Sequence, residues 1–149
     1  MISFHRWFGV ALTVIFLGTG QFMLRIAHVA DLAMGPRLLY RSRHIYILMA
    51  ALINLVLGAY LVAAPRRGAR IVQHLGSALI ALGSGLVVVS FFYDAPHAGL
   101  VPLDLVYSKW GIRTVAGGTV LHAVAAAMRP RVGATESPRD TASREHASL

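Results

Sequence analysis

Four long apolar segments, separated by shorter polar connections, dominate the pattern of hydrophobic and polar positions along the chain. They cover residues 7–24, 44–64, 71–93 and 106–128. Each is about the length, roughly 20 helical residues, that crosses the hydrocarbon of a membrane. Because lipid offers no partner to backbone polar groups, a crossing segment must satisfy them internally as a helix. The pattern therefore predicts an all-α fold, an integral membrane four-helix bundle built from residues 1–128.

The character of the chain changes after Met128, where charged residues, Ser, Thr and Pro replace the large apolar ones. A segment of this composition cannot bury enough apolar surface to fold. We therefore expect residues 129–149 to form a disordered polar tail. At the other end, the first apolar segment follows basic His5 and Arg6 but has no A-x-A cleavage site, which favours an uncleaved span over a signal peptide.

Composition agrees with a membrane environment and excludes several kinds of site. Of the residues 56% are hydrophobic and 13% are charged, against roughly 25% charged in an ordinary soluble domain. The chain has no cysteine, which excludes disulfides, thiolate zinc sites and iron–sulfur clusters. The HExxH, phosphate-loop and Gly-x-Ser-x-Gly patterns are also absent from the sequence, so a non-enzymatic protein is favoured.

The net charge of +8 comes from basic residues that cluster beside the apolar segments, which is typical of membrane flanks and not of a nucleic-acid surface. With the N-terminus inside, the cytoplasmic flanks hold Arg6, Arg66, Arg67, Arg70, Arg129 and Arg131, and the outer flanks hold Arg25, Arg37, Arg41, Arg43 and Lys109. The compact PRRGAR turn and the arginines of the tail favour cytoplasmic termini. The Ala, Gly and Arg bias favours a bacterial inner membrane as the location.

An amphipathic stretch, GPRLLYRSRHIY, precedes the second span. Pro36 suits the first turn of a helix, so this helix is expected to begin ahead of its membrane portion. The spacing i, i+3, i+4, i+7 predicts one shared face, formed by Arg37, Tyr40, Arg41 and His44. We expect this face to lie at the head-group level and to contact anionic lipid, with an acidic partner as the alternative.

Polar residues inside the spans each require a partner or a position facing protein. They include Gln21, Asn54 and Arg113. We expect Arg113 to snorkel outward, to pair with Asp31, Asp94 or Asp104, or to donate a hydrogen bond to Gln21, with an anion or substrate contact as the alternative. No Asp or Glu lies in any span, which disfavours a proton-coupled transporter.

Two histidines lie in the third and fourth spans. His74 shares a helix face with Ser77, Ala78, Ala81 and Gly85, and His122 shares one with Thr114, Gly118, Ala125 and Ala126. Membrane helices approach closely at such small residues, so both histidines are expected to face protein. Their similar depth on consecutive antiparallel helices also raises the alternative of a bis-histidine haem b site, with His5 nearby at the cytoplasmic end of the first helix.

Together these features favour a non-enzymatic accessory or structural subunit that acts through helix–helix, lipid or partner contacts. Its expected partners are the lipid bilayer and either another copy of itself or another membrane protein, with no nucleic acid and no cofactor. A haem b electron carrier that uses His74 and His122 is the alternative, and a small-solute transporter is the third hypothesis.

Reporter fusions test the predicted orientation. A reporter that is active only in the cytoplasm should be active when fused to either terminus. The reason is that the arginines of the PRRGAR turn and of the flanks beside both termini favour the cytoplasmic side of the membrane. Activity at one terminus alone would contradict the even number of crossings, and activity at neither would reverse the orientation.

Overall fold

The computed structural model describes residues 1–95 and 106–128, which form four α-helices and no strand. The helices are α1 (Ile2–Arg25), α2 (Met34–Tyr60), α3 (Arg67–Tyr93) and α4 (Val106–Ala127), and a short 3₁₀ turn (Val29–Asp31) precedes α2. The all-α prediction is confirmed, as is the early start of α2 around Pro36. The connection 96–105 and the tail 129–149, for which disorder was predicted, lie outside the described residues.

Three of these helices, α1, α2 and α3, are long and apolar enough to cross a membrane. α4 has 22 residues but is less apolar. It contains Lys109, Arg113 and His122, and much of the rest is Gly and Ala. The fourth crossing therefore stays a prediction.

The bundle consists of two antiparallel helical hairpins, α1–α2 and α3–α4, which meet mainly where α2 packs against α3. Within the described residues, α1 reaches α3 and α4 through side chains and not through closely packed backbones. The contacts inside each hairpin are far more extensive than those between the hairpins. Individual side chains that cross from one hairpin to the other therefore carry much of the tertiary specificity.

Small residues at heptad spacing form the interface between α3 and α4. On α3 they are Ala69, Gly76 and Gly83, and on α4 they are Gly111, Gly118 and Ala125. A Cβ atom added at Gly118 would lie 2.6 Å from the carbonyl oxygen of Gly76, and one added at Gly83 would lie 2.7 Å from that of Gly111. The two backbones are in direct contact, which is how membrane helices associate when lipid supplies no hydrophobic driving force.

The first hairpin uses the same device at two points. A Cβ atom at Gly9 would lie 2.8 Å from the backbone nitrogen of Leu55, and one at Gly58 would lie 2.6 Å from that of Arg6.

At the opposite end of the bundle the helices are held by aromatic contacts. Phe91 is fully buried there, and its ring meets those of Tyr40 and Phe22 edge to face, at 5.3 and 6.0 Å between centroids.

The distribution of polarity is the reverse of that in a water-soluble bundle. Large apolar side chains, including Trp7, Val14, Leu17, Leu24 and Leu82, lie on the outer surface. The interior contains charged and polar side chains beside its apolar core. A soluble monomer rarely exposes contiguous apolar surface on this scale. Together with the three apolar helices, this distribution indicates a membrane protein.

A pair of neighbouring glycines tests the close packing of α3 and α4. Gly118→Ala should lower the free energy of unfolding by about 1–3 kcal/mol, because the new methyl group overlaps backbone atoms of α3. Gly117→Ala is the matched control, since nothing lies within 4 Å of a Cβ at Gly117; it should stabilise the helix by about 0.5–1 kcal/mol. Unfolding in mixed micelles with increasing sodium dodecyl sulfate, followed by circular dichroism, measures both. Equal effects of the two changes would contradict the interface.

Candidate functional site

A continuous network of buried polar side chains links all four helices. Its members are His5 on α1, Asn54 on α2, Ser77 and Ser84 on α3, and His122 on α4. His5, Asn54 and Ser84 are fully inaccessible to solvent, and the other two are more than nine-tenths buried. The network lies in the half of the bundle that contains the beginning of α1 and the end of α4.

The imidazole of His5 is at the centre of the network. Its Nδ1 lies 2.8 Å from Oδ1 of Asn54, and its Nε2 lies 2.8 Å from Oγ of Ser77. The same Ser77 hydroxyl lies 3.1 Å from Nε2 of His122. The rings of His5 and His122 meet edge to face, with 6.0 Å between their centroids. Both imidazoles therefore converge on one hydroxyl group of α3.

The chemistry of the partners assigns the protons of the neutral network. Nδ2 of Asn54 donates to the carbonyl oxygen of Ala50 at 2.9 Å, which leaves Oδ1 to accept from the Nδ1–H of His5. The Nε2 of neutral His5 then accepts from the Ser77 hydroxyl, and the Ser77 oxygen accepts from the Nε2–H of His122. All donors thus point in one direction, from α4 to α2.

Ser84 completes the network on the side of Asn54. Its hydroxyl oxygen accepts from Nδ2 of Asn54 at 3.3 Å, and its proton goes to the carbonyl oxygen of Ile80 at 2.7 Å. At the other end, Nδ1 of His122 is buried and has no hydrogen-bond partner in the described part of the chain. The network is therefore saturated except for this one acceptor atom.

A second polar cluster, formed by Arg43, Asp94 and Ser108, lies at the opposite end of the bundle. The carboxylate oxygen Oδ2 of Asp94 accepts from the backbone N–H of Ser108 at 3.1 Å, in the first turn of α4, where helix geometry directs N–H groups to acceptors outside the helix. The same oxygen lies 3.8 Å from Nε of buried Arg43. A negative charge here is stabilised by both the guanidinium and the positive end of the α4 dipole.

Of the three polar residues predicted inside the spans, only Asn54 is buried. Gln21 and Arg113 are exposed. The predicted pairing of Arg113 with Asp94 is wrong, because Asp94 binds Ser108 and Arg43 instead. The exposed position of Arg113 is the outward one that was also expected for it. The guanidinium of Arg113 lies over the ring of Trp110, 5.7 Å from its centroid, a local partner one helical turn away. Asp104 lies outside the described residues.

The two histidines singled out by the sequence occupy different environments. His122 faces protein, as predicted, whereas the expectation for His74 is wrong, because its side chain is exposed. The reason is helical phase: His74 lies two residues, or about 200°, from Gly76, which contacts α4. His5 of α1, and not His74, is the imidazole beside His122. Haem binding by His74 and His122 stays a prediction, without a facing pair to support it.

The predicted interfacial face of α2 is divided between the core and the surface. Tyr40 is buried against Phe91, and His44 stacks on Phe16 at 4.1 Å and hydrogen-bonds to Oγ1 of Thr19 at 3.0 Å. The expectation that these two side chains contact lipid head groups is therefore corrected, because they contact Phe91, Phe16 and Thr19 instead. Arg41 is exposed and Arg37 is half-buried, near the carbonyl oxygen of Ala30 at 3.4 Å. Their contact with anionic lipid stays a prediction.

The sequence placed His5 only in the neighbourhood of the other two histidines, and it predicted neither the central position of His5 nor the burial of Arg43. Arg43 was expected only as an outer flank, yet it belongs to the buried stripe of α2 that includes Tyr40, Ile47 and Asn54. His5 lies four residues before Gly9 and seven before Leu12, both buried on α1. This spacing on one helix face is the signal that could have identified His5. Comparisons with family models, curated proteins and solved structures give no match to the chain.

Replacing Asn54 tests whether the network stabilises the bundle. Asn54→Leu leaves the Nδ1–H of buried His5 without an acceptor, so the free energy of unfolding should fall by about 1–3 kcal/mol. Gln21→Leu is the control, because exposed Gln21 should tolerate the change within about 0.5 kcal/mol. Unfolding in the same mixed micelles measures both free energies, and an unchanged value for Asn54→Leu would contradict a stabilising role.

Proposed function

We propose that this membrane protein is a non-enzymatic accessory or structural subunit, and that it contacts its partner through the exposed face of α4. The composition of that face is the observation that carries the proposal. Beside the larger Trp110, Arg113, Val120 and Val124, its exposed positions include Ala116, Thr119, Ala123, Ala126 and Ala127. Each of these five small residues lies three or four positions from another, so they form a stripe along α4 that allows another helix to approach closely.

The other helices present a different outer surface. The exposed positions of α1 and α2 include Trp7, Leu17, Ile45, Leu52 and Val56, which are large and apolar and suit contact with lipid chains. By contrast, an exposed arginine costs roughly 2.5–3.5 kcal/mol at the centre of a span on insertion scales and less towards an interface, and Arg113 lies about two turns into α4. A partner helix over α4 would cover Arg113 with protein instead of lipid.

The buried network supports a structural role over catalysis. Its histidine, serine and asparagine groups hydrogen-bond to one another and to backbone carbonyl groups. The cavity lined by Arg70 and Gln73 and the one lined by Gly20 and His44 do not include His5, Ser77 or His122 among their lining residues. These three side chains are buried and join helices to one another, which favours a structural role.

Cross-linking from single cysteines tests the proposal, because the natural chain has none. Ala123→Cys places a thiol on the exposed face of α4, and Val56→Cys is the control on the exposed surface of α2. After labelling with benzophenone maleimide in native membranes, illumination should link the Ala123→Cys protein to another membrane protein or to a second copy. The Val56→Cys protein should give little product.

Two results would contradict the proposal. One is an equal or larger yield of cross-linked product from α2 than from α4. The other is recovery of the chain in the aqueous fraction after alkaline carbonate extraction, which would remove the membrane setting on which the proposal depends.

A further inference from the structure

A cavity of about 540 Å³ opens at the end of the bundle where α1 begins and α2 connects to α3. It is separate from the buried network and from the exposed face of α4. Its walls come from the start of α1, the α2–α3 connection and the first two turns of α3, and the lining residues include Ile2, Leu61, Ala63, Arg70, Gln73 and His74.

The α2–α3 connection that forms one wall is held in place by side chains of α3. Gln73 accepts from the backbone N–H of Ala64 at 3.1 Å and donates to the carbonyl oxygen of Val62 at 2.9 Å. Nε of Arg70 donates to the carbonyl oxygen of Ala64 at 3.3 Å. The cavity is therefore shaped by specific hydrogen bonds before any ligand arrives.

Arg70 has donors left after this contact. Within the described residues its terminal nitrogens, Nη1 and Nη2, make no hydrogen bond, and neither does the ring of His74. Both side chains line the cavity. A guanidinium offers paired N–H donors that match the oxygens of a phosphate group.

The charge of this end of the bundle is unopposed. Arg6, Arg66, Arg67 and Arg70 lie here. The acidic residues of the described ranges, Asp31 and Asp94, lie at the opposite end, in the α1–α2 connection and after α3. An anion at the cavity would therefore meet several cations and no nearby carboxylate of the described chain.

The remaining walls are apolar. Ile2, Leu61 and Ala63 line the cavity, and exposed Ile71 and Leu75 lie beside it on the outer surface of α3. A free inorganic anion would gain nothing from these side chains, whereas a ligand with a charged head and an apolar tail would contact both kinds of surface. Basic pockets between membrane helices commonly bind anionic lipid head groups.

We propose that this cavity is a binding site for one anionic phospholipid. Arg70 and His74 contact its phosphate, and the upper part of an acyl chain lies along Ile2 and Leu61. The site requires the membrane setting of the proposed function but no partner on α4. The two proposals are therefore distinguishable. Cross-linking from α4 can fail while lipid binding is retained, and lipid binding can fail while cross-linking from α4 is retained.

The test is isothermal titration of the full chain, purified in a neutral detergent, with short-chain phosphatidylglycerol. Short-chain phosphatidylcholine and inorganic phosphate are the comparison ligands. Phosphatidylglycerol should bind, and the other two should bind at least about tenfold more weakly, because one lacks net charge and the other lacks the acyl chains. Equal affinity for inorganic phosphate would overturn the assignment to a lipid, and equal affinity for phosphatidylcholine would overturn the assignment to an anion.

Variants locate the site. Arg70→Gln with His74→Asn should weaken phosphatidylglycerol binding by about five- to tenfold. The matched control, Arg25→Gln with His28→Asn, changes the same residue types at the opposite end of α1 and should leave affinity within about twofold. Arg70→Lys keeps the charge and should retain most of the affinity.

A cavity-filling change distinguishes binding inside the cavity from binding that is caused only by the positive charge of the surface. Ala63→Phe puts a ring into the cavity without altering charge and should reduce binding as much as the loss of Arg70 and His74 does. Ala59→Phe, on the exposed surface of α2, is its control. Wild-type affinity in the Ala63→Phe protein, or equal losses from the cavity variants and their controls, would overturn the proposal, provided that each variant keeps the wild-type circular dichroism spectrum.

Discussion

The hydrogen bond from the Ser77 hydroxyl to Nε2 of His5 joins two helical hairpins whose first and third helices do not pack backbone to backbone. In water such a bond would compete with solvent, but an apolar surrounding provides no alternative partner for either group. Because the same hydroxyl also accepts from His122, the position of α1 is tied to the α3–α4 hairpin as a whole. This hydroxyl group therefore constrains how the two hairpins meet in the half of the bundle that contains the polar network.

The close crossing of α3 and α4 makes the second of these contacts, between Ser77 and His122, geometrically feasible. Glycines at Gly76, Gly83, Gly111 and Gly118 bring α3 and α4 into backbone contact, which places the side chains of Ser77 and His122 within hydrogen-bond distance. A larger residue at these positions would separate the helices and break the polar contact together with the van der Waals contact. Packing and hydrogen bonding in this hairpin are therefore coupled.

The two ends of the bundle have different electrostatic designs. At one end, Arg43 and the N-terminal turn of α4 lie beside the carboxylate of Asp94. The opposite charges of Arg43 and Asp94 therefore neutralise each other inside the bundle. At the other end the arginines have no acidic counterpart among the described residues, and one of them, Arg70, lines a shaped cavity. An internal ion pair fastens helices, whereas unopposed charge beside apolar walls is suited to an external anionic amphiphile.

Hydropathy and segment length were enough to predict the helices, their approximate order and the membrane character of the chain, because both are properties of contiguous residues. The same reasoning placed Asn54 and His122 in the interior, since a buried polar group in a span needs a partner. It also placed Gly118 of α4 at a close helix crossing, whereas the corresponding expectation for Gly85 of α3 is wrong, because nothing lies within 4 Å of a Cβ atom there.

Only the tertiary structure decided which side chains meet. Depth along a helix can be counted from the sequence. The direction of the side chain turns by about 100° with each residue, and which of these directions faces the interior is set by packing against the neighbouring helices. For this reason His74, at a similar depth to His122, faces outward, while His5 from a different hairpin is its neighbour. The partner of Asp94 was likewise decided by the packing of α2, which buries Arg43, and not by the proximity of Arg113 in the sequence.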